Sequence, residues 1–346
     1  MADVAELSEA ELTARLALLQ IQQANADRYN TEAQAEVAEA KAAYRFVRPL
    51  ADAADSLIDY LRNTDGRIMF GLPEIDLLTR GFGPGELIYV TGYTASGKTQ
   101  LFLTMVINNR DRKVVLFTMD EPVELVLTKL VCMRTGSNAE RMEERVRAGD
   151  QEAINRVRRI AREDFRNLIV VDQSMSLDDM TVAIQEVQDY WGEPPAAIGI
   201  DYLELLRSDD TAIDQKSQAL KGWASCQTAP VICLHQGSRG NSAGGQRLTM
   251  RSMKYGGEQE AIVVIGVRRQ RDDDDLDDYE RAQVADTVDI SVLKNKRPPA
   301  KIGEFTFYMD SDSGLITPLS RRPEPTSAAA SRHYQQQNIY DEEDDH

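Results

Sequence analysis

The chain has 346 residues, 42% of them hydrophobic, and its 57 acidic and 40 basic residues give a formal net charge of −17. This length allows one large core or two small ones. So acidic a chain is unsuited to coating nucleic acid non-specifically, although a local basic patch could still bind it. The three cysteines are widely spaced and the three histidines form no motif. This pattern indicates free thiols in a reducing compartment rather than a histidine or cysteine metal site.

The N-terminus lacks a basic region followed by an apolar stretch, and the chain has no run of 18 consecutive apolar residues. Neither a secretory signal nor a membrane-spanning helix is therefore expected. We expect a soluble, cytoplasmic protein that has no membrane partner.

The two ends of the chain differ in composition from its middle. Residues 1–63 are predicted to form a helical arm, because Ser8 and Glu11 have capping-box spacing and leucines then recur on one face. Such an arm is too small for its own core, so it should pack on a neighbouring subunit or on the main domain. Residues 321–346 contain prolines, a QQQ run and the acidic end YDEEDDH, and we expect this tail to be disordered.

The middle of the chain, residues 64–320, alternates short apolar runs with amphipathic helical patterns. The runs span residues 87–91, 114–118, 168–172, 197–206, 231–235 and 261–267. Strands too apolar to face water, separated by helices, predict a mainly parallel sheet that is covered on both faces, which is an α/β fold. After residue 261 the helical patterns stop, and alternation through Val288, Ile290 and Phe305 predicts antiparallel strands added at the C-terminal end. The acidic run RDDDDLDDYE between two of these strands is expected to be a hairpin tip.

A glycine-rich turn follows the first apolar run. The sequence GYTASGKT, residues 92–99, satisfies the P-loop pattern and lies between a predicted strand and a helix over residues 100–109. Its backbone N–H groups are expected to bind phosphate oxygens, with Lys98 on the β- and γ-phosphates and the Thr99 hydroxyl on Mg²⁺. We therefore predict an ATP site that comprises Gly92, Tyr93, Thr94, Ala95, Ser96, Gly97, Lys98, Thr99 and Gln100.

Three other strands end in polar residues that suit this chemistry. Asp201 follows the run AAIGI and is predicted to hold the magnesium; Glu204 is the competing acid, three residues further on and expected to point the other way. Asp120 and Glu121 end the second run and are candidates for activating the attacking water, with the choice between them open. Gln236 ends the run PVICLHQ and is predicted to sense the γ-phosphate.

Two basic segments follow these strands. Residues 237–257 carry four cations and no acid, which predicts a segment that binds a nucleic acid backbone; its cations are Arg239, Arg247, Arg251 and Lys254. In LKNKRPP, Lys294, Lys296 and Arg297 end a strand, and one or two of them are predicted to reach the γ-phosphate of a neighbouring subunit.

Together these motifs resemble the RecA/DnaB superfamily of oligomeric DNA motors over residues 67–319, and most of all the DnaB-type replicative helicases. The segments GLPEIDLLTRGFGPGELIYVTGYTASGKT, FTMDEPVELVLTKLVC, IDYLELL and GGEQEAIVVIGV resemble that family's P-loop entry, second-strand motif, magnesium-binding strand and the strand after its DNA segment. The resemblance implies a RecA-like core. It also implies nucleotide-site roles for Lys98, Thr99, Asp120, Asp201 and Gln236, and trans-acting roles for Lys294 and Lys296.

Some residues depart from the family pattern. Asp120 is one methylene shorter than the glutamate of the family, and the adjacent Glu121 resembles the paired acids of RadA- and KaiC-like proteins. LKNKRPP resembles the lysine pair of RecA recombinases at least as well, and Arg297 is an alternative trans-acting residue. About 60 helical residues stand where DnaB has a larger N-terminal domain, which resembles the compact phage-encoded members.

The resemblance implies an ATP- and Mg²⁺-dependent helicase that binds single-stranded DNA as a homo-oligomer. A hexameric ring would unwind duplex during replication, together with other replication proteins, in a bacterium or a phage-infected host cell. A RecA-like recombinase that forms filaments is the first alternative. A KaiC-like regulatory ATPase that never binds DNA is the second.

Overall fold

The computed structural model describes residues 19–20, 23, 50–62, 66–208, 212–237, 248–249, 259–273 and 275–321. The chain divides into two compact units, Met1–Thr64 and Asp65–His346. In the first unit, helix α1 (Ala53–Arg62) follows a short 3-10 turn, and its Leu57, Ile58 and Leu61 are exposed. Most of the predicted arm and all but one residue of the predicted tail lie outside the described residues.

The described part of the second unit contains both α-helices and β-strands. Its helices are α2 (Pro73–Thr79), α3 (Lys98–Asn108), α4 (Val123–Thr135), α5 (Ala139–Arg147), α6 (Gln151–Arg159), α7 (Leu177–Trp191), α8 (Ile213–Ser225) and α9 (Asp278–Gln283). Its strands are β1 (Leu87–Gly92), β2 (Val114–Thr118), β3 (Leu168–Val171), β4 (Ala197–Asp201), β5 (Val231–Gln236), β6 (Val263–Arg268), β7 (Thr287–Asn295), β8 (Gly303–Met309) and β9 (Ile316–Pro318). None of the helices in this part of the chain combines the length and the apolar character needed to cross a bilayer.

The nine strands form one sheet in the order β3-β2-β4-β5-β1-β6-β7-β8-β9. The first six in this order are parallel, whereas β7, β8 and β9 join antiparallel. The predicted α/β fold with antiparallel strands at its C-terminal end is confirmed. Because the six parallel strands point the same way, the polar residues that follow β1, β2, β4 and β5 lie at one edge of the sheet.

The sheet has a separate apolar core on each face. Along β1, Ile88 and Val90 pack in one core with α3 and α4, while Leu87 and Tyr89 pack in the other with α7 and α8. This alternation is the side-chain period of a strand, and it explains why strands buried on both faces read as continuous apolar runs.

Helix α3 lies close to the strand that carries Asp201. A Cβ atom at Gly199 of β4 would stand 2.2 Å from Cζ of Phe102, so only glycine leaves room for that ring. The close approach brings the N-terminal residues of α3 and the end of β4 into one site.

The fourth apolar run forms a shorter strand than the sequence predicts. Strand β4 ends at Asp201, and the 3-10 turn Leu203–Leu205 follows it. From α8, Lys216 Nζ donates to the carbonyl oxygens of Glu204 at 3.2 Å and Leu206 at 2.7 Å. The turn is thus fixed by a residue that is distant in sequence, which a local apolar pattern cannot reveal.

The expectation that no helix follows residue 261 is wrong. Strands β6 and β7 pair antiparallel as predicted, but their acidic connection contains α9. The Asp277 carboxylate accepts the backbone N–H of Glu280 at 2.7 Å, and Glu280 Oε2 accepts that of Asp277 at 3.1 Å. Acids at the start of a helix cap its free N–H groups and interact favourably with its dipole, so here they promote a short helix within the connection of the β6–β7 hairpin.

Candidate nucleotide-binding site

The P-loop leads from β1 directly into α3. Gly97, the residue before the helix, has φ 101°, a conformation that favours glycine. A Cβ at Gly92 would lie 2.3 Å from Ser96 Oγ and 2.5 Å from the Val267 carbonyl oxygen, so the loop closes tightly over the end of its strand. No side chain in the described part of the chain caps the first turn of α3. Its N–H groups are consequently oriented as an anion-binding helix start requires.

Lys98 folds back over the loop. Its Nζ donates to the carbonyl oxygens of Gly92 at 2.9 Å and Tyr93 at 2.8 Å. Burial lowers the pKa of Lys98, and the carboxylates of Asp201, Glu204 and Asp120 partly oppose that shift. The ammonium is therefore partly desolvated and bonded to neutral carbonyls, which favours an anionic ligand in the loop.

Thr99 and Asp201 lie in contact. Thr99 Oγ1 donates to Asp201 Oδ2 at 3.0 Å. The pKa of Asp201 is raised to about 6, chiefly by burial; the Thr99 hydrogen bond lowers it, and the nearby Glu121 and Asp120 carboxylates contribute to the rise. The Thr99 hydroxyl and the Asp201 carboxylate offer oxygen ligands, which Mg²⁺ prefers, and the repulsion between neighbouring carboxylates favours a cation there.

The two acids after β2 have different surroundings. Thr118 pairs with Asp201 in the sheet register, so both acids follow close to the end of β4. The Asp120 side chain is exposed and makes no hydrogen bond or ion pair with any residue that the structure describes. Glu121 is half-buried and forms an ion pair with Lys129 of α4. Asp120 is therefore the acid whose carboxylate remains available.

Gln236 contacts the P-loop from the neighbouring strand. Its Nε2 donates to Thr94 Oγ1 at 2.7 Å, and the next residue, Gly237, donates its N–H to the Gly92 carbonyl oxygen at 2.8 Å. The backbone N–H of Gln236 donates to Glu204 Oε1 at 2.9 Å. Glu204 was expected to point away; the 3-10 turn after β4 instead directs it to the end of β5.

The three candidate trans-acting cations occupy two environments. Lys294 Nζ and Lys296 Nζ both donate to the Gln259 carbonyl oxygen, at 2.9 and 3.0 Å. Arg297 is instead half-buried, forms an ion pair with Glu86, and has its guanidinium 5.6 Å from the Phe82 ring centroid.

Arg297 is thus engaged within its own subunit, which argues against the alternative that it acts on a neighbour. The other predicted basic residues, Arg239, Arg247, Arg251 and Lys254, lie outside the described residues.

Sequence reasoning missed two contributors to this region. Lys129 stands eight residues after Glu121, a spacing at which a helix that starts in between can bring both side chains together. Glu204 gave a signal, since it is an acid in an otherwise apolar stretch, but its partner at Gln236 is 32 residues away. Its target could not be read from local spacing.

Comparison with known proteins identifies the family. The model of the DnaB-like helicase C terminal domain matches residues 68–312, from before the P-loop to beyond the trans-acting candidates. The chain belongs to this family.

Among curated relatives, the replicative DNA helicase DnaC of Bacillus subtilis (strain 168) is 25% identical over 316 residues, covering 83% of this chain and 65% of the relative. The replicative DNA helicase DnaB of Geobacillus stearothermophilus is 23% identical over 282 residues, covering 73% of this chain and 58% of the relative. The chain thus spans less than two thirds of the length of either relative.

Solved structures share the fold. One solved ATPase domain superposes with a TM-score of 0.65 at 19% identity, covering 79% of this chain and 99% of that one. A DnaB-like replicative helicase, solved for its structure and its interactions with primase, superposes with a TM-score of 0.64 at 20% identity. The match covers 88% of this chain and 76% of that one. The RecA-like architecture is therefore that of DnaB-type ATPase domains.

Proposed function

We propose that this protein is an ATP-driven DNA motor that binds single-stranded DNA and unwinds duplex during replication, as a hexameric ring. One observation carries the proposal: Lys98, Thr99, Asp201 and Gln236, which come from three different strands or their ends, meet at one edge of the parallel sheet. Membership of the DnaB-like family supports DNA as the polymer that the motor moves on.

Each residue of the proposed site has a separate role in ATP hydrolysis. The N–H groups of the loop and Lys98 bind the phosphates of ATP, while Thr99 and Asp201 hold Mg²⁺. The metal, when bound, neutralises charge that develops on the transferred phosphoryl group. Asp120 accepts the proton of the attacking water, and Gln236 reports the state of the γ-phosphate to the segment that follows β5. Lys294 and Lys296 contribute positive charge from the adjacent subunit.

The segment 237–257 is the proposed contact with DNA. Its four cations suit a phosphate backbone, and it begins at Gly237, directly after the residue that contacts Thr94. The residue that would respond to a change at the nucleotide, Gln236, is therefore directly followed by the first residue of the proposed DNA-binding segment. The replicative role of the curated relatives makes other replication proteins the partners that we propose.

The test combines turnover with strand displacement. Wild-type protein should hydrolyse ATP faster with single-stranded DNA present and should displace a labelled strand from a forked duplex. Replacing Lys98 with Ala removes the phosphate-binding ammonium, so we expect at least about a thousandfold loss of turnover with an unchanged circular dichroism spectrum.

Other outcomes point to other functions. Filaments with strand exchange would identify a recombinase instead, and turnover indifferent to DNA would identify a regulatory ATPase. Wild-type turnover in the Lys98→Ala variant would refute the site itself.

A further inference from the structure

The end of β5 reaches beyond the strand beside it. Strands β4 and β5 pair from Ile198 with Val231 to Ile200 with Cys233, where their ladder stops. On the other side, β1 stays paired with β5 as far as Gln236. The last residues of β5 therefore have a backbone partner on the P-loop side, whereas β4 has already turned away on the other side. Gln236, the proposed sensor of the γ-phosphate, lies in this stretch that is paired on one side only.

The Glu204 side chain supplies the hydrogen-bond acceptor that β4 no longer provides at the end of β5. Its Oε1 accepts the backbone N–H of Gln236 at 2.9 Å and lies 3.1 Å from Nδ1 of His235, whose side chain is fully buried. Burial alone would raise the pKa of Glu204, but His235 and the backbone N–H of Gln236 hold that pKa below its usual value. Because Lys216 fixes the turn that carries Glu204, the carboxylate is presented from a rigid support.

The opposite side of Gln236 is held by the P-loop. Nε2 of Gln236 donates to Thr94 Oγ1 at 2.7 Å, and the Gly237 N–H donates to the Gly92 carbonyl oxygen at 2.8 Å. The end of β5 is thus fixed between Glu204 and the P-loop. Losing the acceptor on one side would leave a partly buried N–H without that acceptor and would allow Gln236 to move relative to the phosphate site.

We propose that Glu204 is a positioning residue for ATP hydrolysis, which acts by holding Gln236 in register with the P-loop. The inference rests on the proposed ATPase function and concerns a residue that has no direct contact with the phosphate-binding lysine. The required property is a hydrogen-bond acceptor at Oε1, not a negative charge. Glutamine retains that acceptor, whereas alanine and methionine lack it.

Steady-state ATP turnover of the full chain, with and without single-stranded DNA, tests this role. In Glu204→Ala we expect kcat to fall about tenfold and KM for ATP to change less than about twofold, because the phosphate-binding groups are untouched. Glu204→Gln should stay within about twofold of wild type. Gln236→Ala combined with Glu204→Ala should be no slower than Gln236→Ala alone, since both changes interrupt one connection.

Asp76→Ala is the matched control. Asp76 is a partly buried acid that also accepts backbone N–H groups, from Phe70 and Gly71, both at 2.8 Å. Its contacts lie near the far end of α3, about 15 Å from the P-loop at 1.5 Å per residue. This variant should lower the melting temperature and leave kcat per folded molecule unchanged. Glu204→Met, which keeps the length of the side chain, replaces Glu204→Ala if alanine prevents folding.

Several results would overturn the inference. Wild-type kcat in both the alanine and the methionine variants would do so, as would equal losses in Glu204→Gln and Glu204→Ala. Loss of folding in both apolar variants would make Glu204 a determinant of the fold and would end its assignment as a positioning residue. These results differ from failure of the proposed function, which would appear as absent turnover in the wild type or as normal turnover in Lys98→Ala.

Discussion

At the scale of single residues, the neighbouring acids Asp120 and Glu121 are separated by what they contact. The ion pair with Lys129 holds Glu121 against α4. Asp120 is exposed, and its charge still acts on Lys98 and Asp201. A general base needs a carboxylate that can reach water, so the structure favours the acid that the family resemblance aligns with its catalytic glutamate.

Substituting each acid by its amide discriminates between them. Asp120→Asn should lower kcat for ATP by at least about a hundredfold, in the range that general-base catalysis contributes. Glu121→Gln should lower it less than about tenfold and should chiefly lower the melting temperature, because Lys129 loses its charged partner. The measurement is ATP turnover under saturating nucleotide. The reverse ranking would make Glu121 the base.

Much of the candidate site could be predicted from the sequence, whereas contacts between residues far apart in the chain could not. Lys98, Thr99, Asp120 and Asp201 each stand at the end of an apolar run or in a motif of fixed spacing, so local pattern located them. Arg297 remained a trans-acting candidate because its ion-pair partner Glu86 is 211 residues away in the chain, so the sequence pattern could not reveal that the two side chains meet. Contacts across such separations are set by the sheet order, which strand patterns alone do not determine.

At the scale of elements, a partly buried acid in helix α2 binds the segment that leads into the helix. Pro73 occupies the start of the helix, and the Asp76 carboxylate accepts N–H groups of Phe70 and Gly71, both at 2.8 Å. Burial raises the pKa of Asp76 to about 6, despite those hydrogen bonds, which lower it. The segment that leads into α2 is therefore held by an acid that is costly to ionise.

This raised pKa gives the stability a definite pH dependence. The folded chain binds the Asp76 proton more tightly than the unfolded chain between about pH 4 and 6, so the contribution of this group to stability falls as pH rises through that window. Relative to Asp76→Asn, the free energy of unfolding of the wild type should fall by no more than about 3 kcal/mol from pH 4 to 7. Urea unfolding at each pH measures the difference.

Asp150→Asn is the control for this measurement. Asp150 is a partly exposed N-cap whose pKa is lowered, first by the Arg145 hydrogen bond. Its contribution is present above its unfolded pKa and is lost as pH falls, so the difference from wild type should change in the opposite direction. Parallel curves for wild type and Asp76→Asn would contradict the raised pKa.

At the scale of the whole molecule, strand β7 carries the proposed trans-acting lysines in and directly after its last residues, at the end of the sheet opposite the P-loop. In its register with β6, Lys294 pairs with Val264 and Asn295 with Val263, at the start of the parallel strands. In the register of β6 with β1, Val264 lies beside Tyr89, so Lys294 is about 10 Å along the strand direction from Gly92, where the P-loop begins, and two strands away from it. Lys294 and Lys296 therefore lie at the other end of the sheet from the P-loop of their own subunit, where both donate to the Gln259 carbonyl oxygen, which supports their action on a neighbour.

Mixed oligomers test this arrangement. Lys98→Ala and Lys296→Ala should each lower turnover at least about a thousandfold, because one removes the phosphate-binding lysine and the other the trans-acting charge. In rings assembled from equal amounts of both, about a quarter of the interfaces combine an intact P-loop with an intact Lys296 of the adjacent subunit. If interfaces act independently, turnover should therefore recover to about a quarter of wild type.

A second mixture supplies the control for the first. Lys98→Ala and Asp120→Asn both alter the nucleotide site of the subunit that carries them, so every subunit in their mixed rings has an impaired site. Turnover should therefore stay at the level of the separate variants. Recovery in this control would mean that mixing by itself restores activity. No recovery in the mixture with Lys296→Ala would place Lys296 in the site of its own subunit, and wild-type turnover in Lys296→Ala alone would place it outside the reaction.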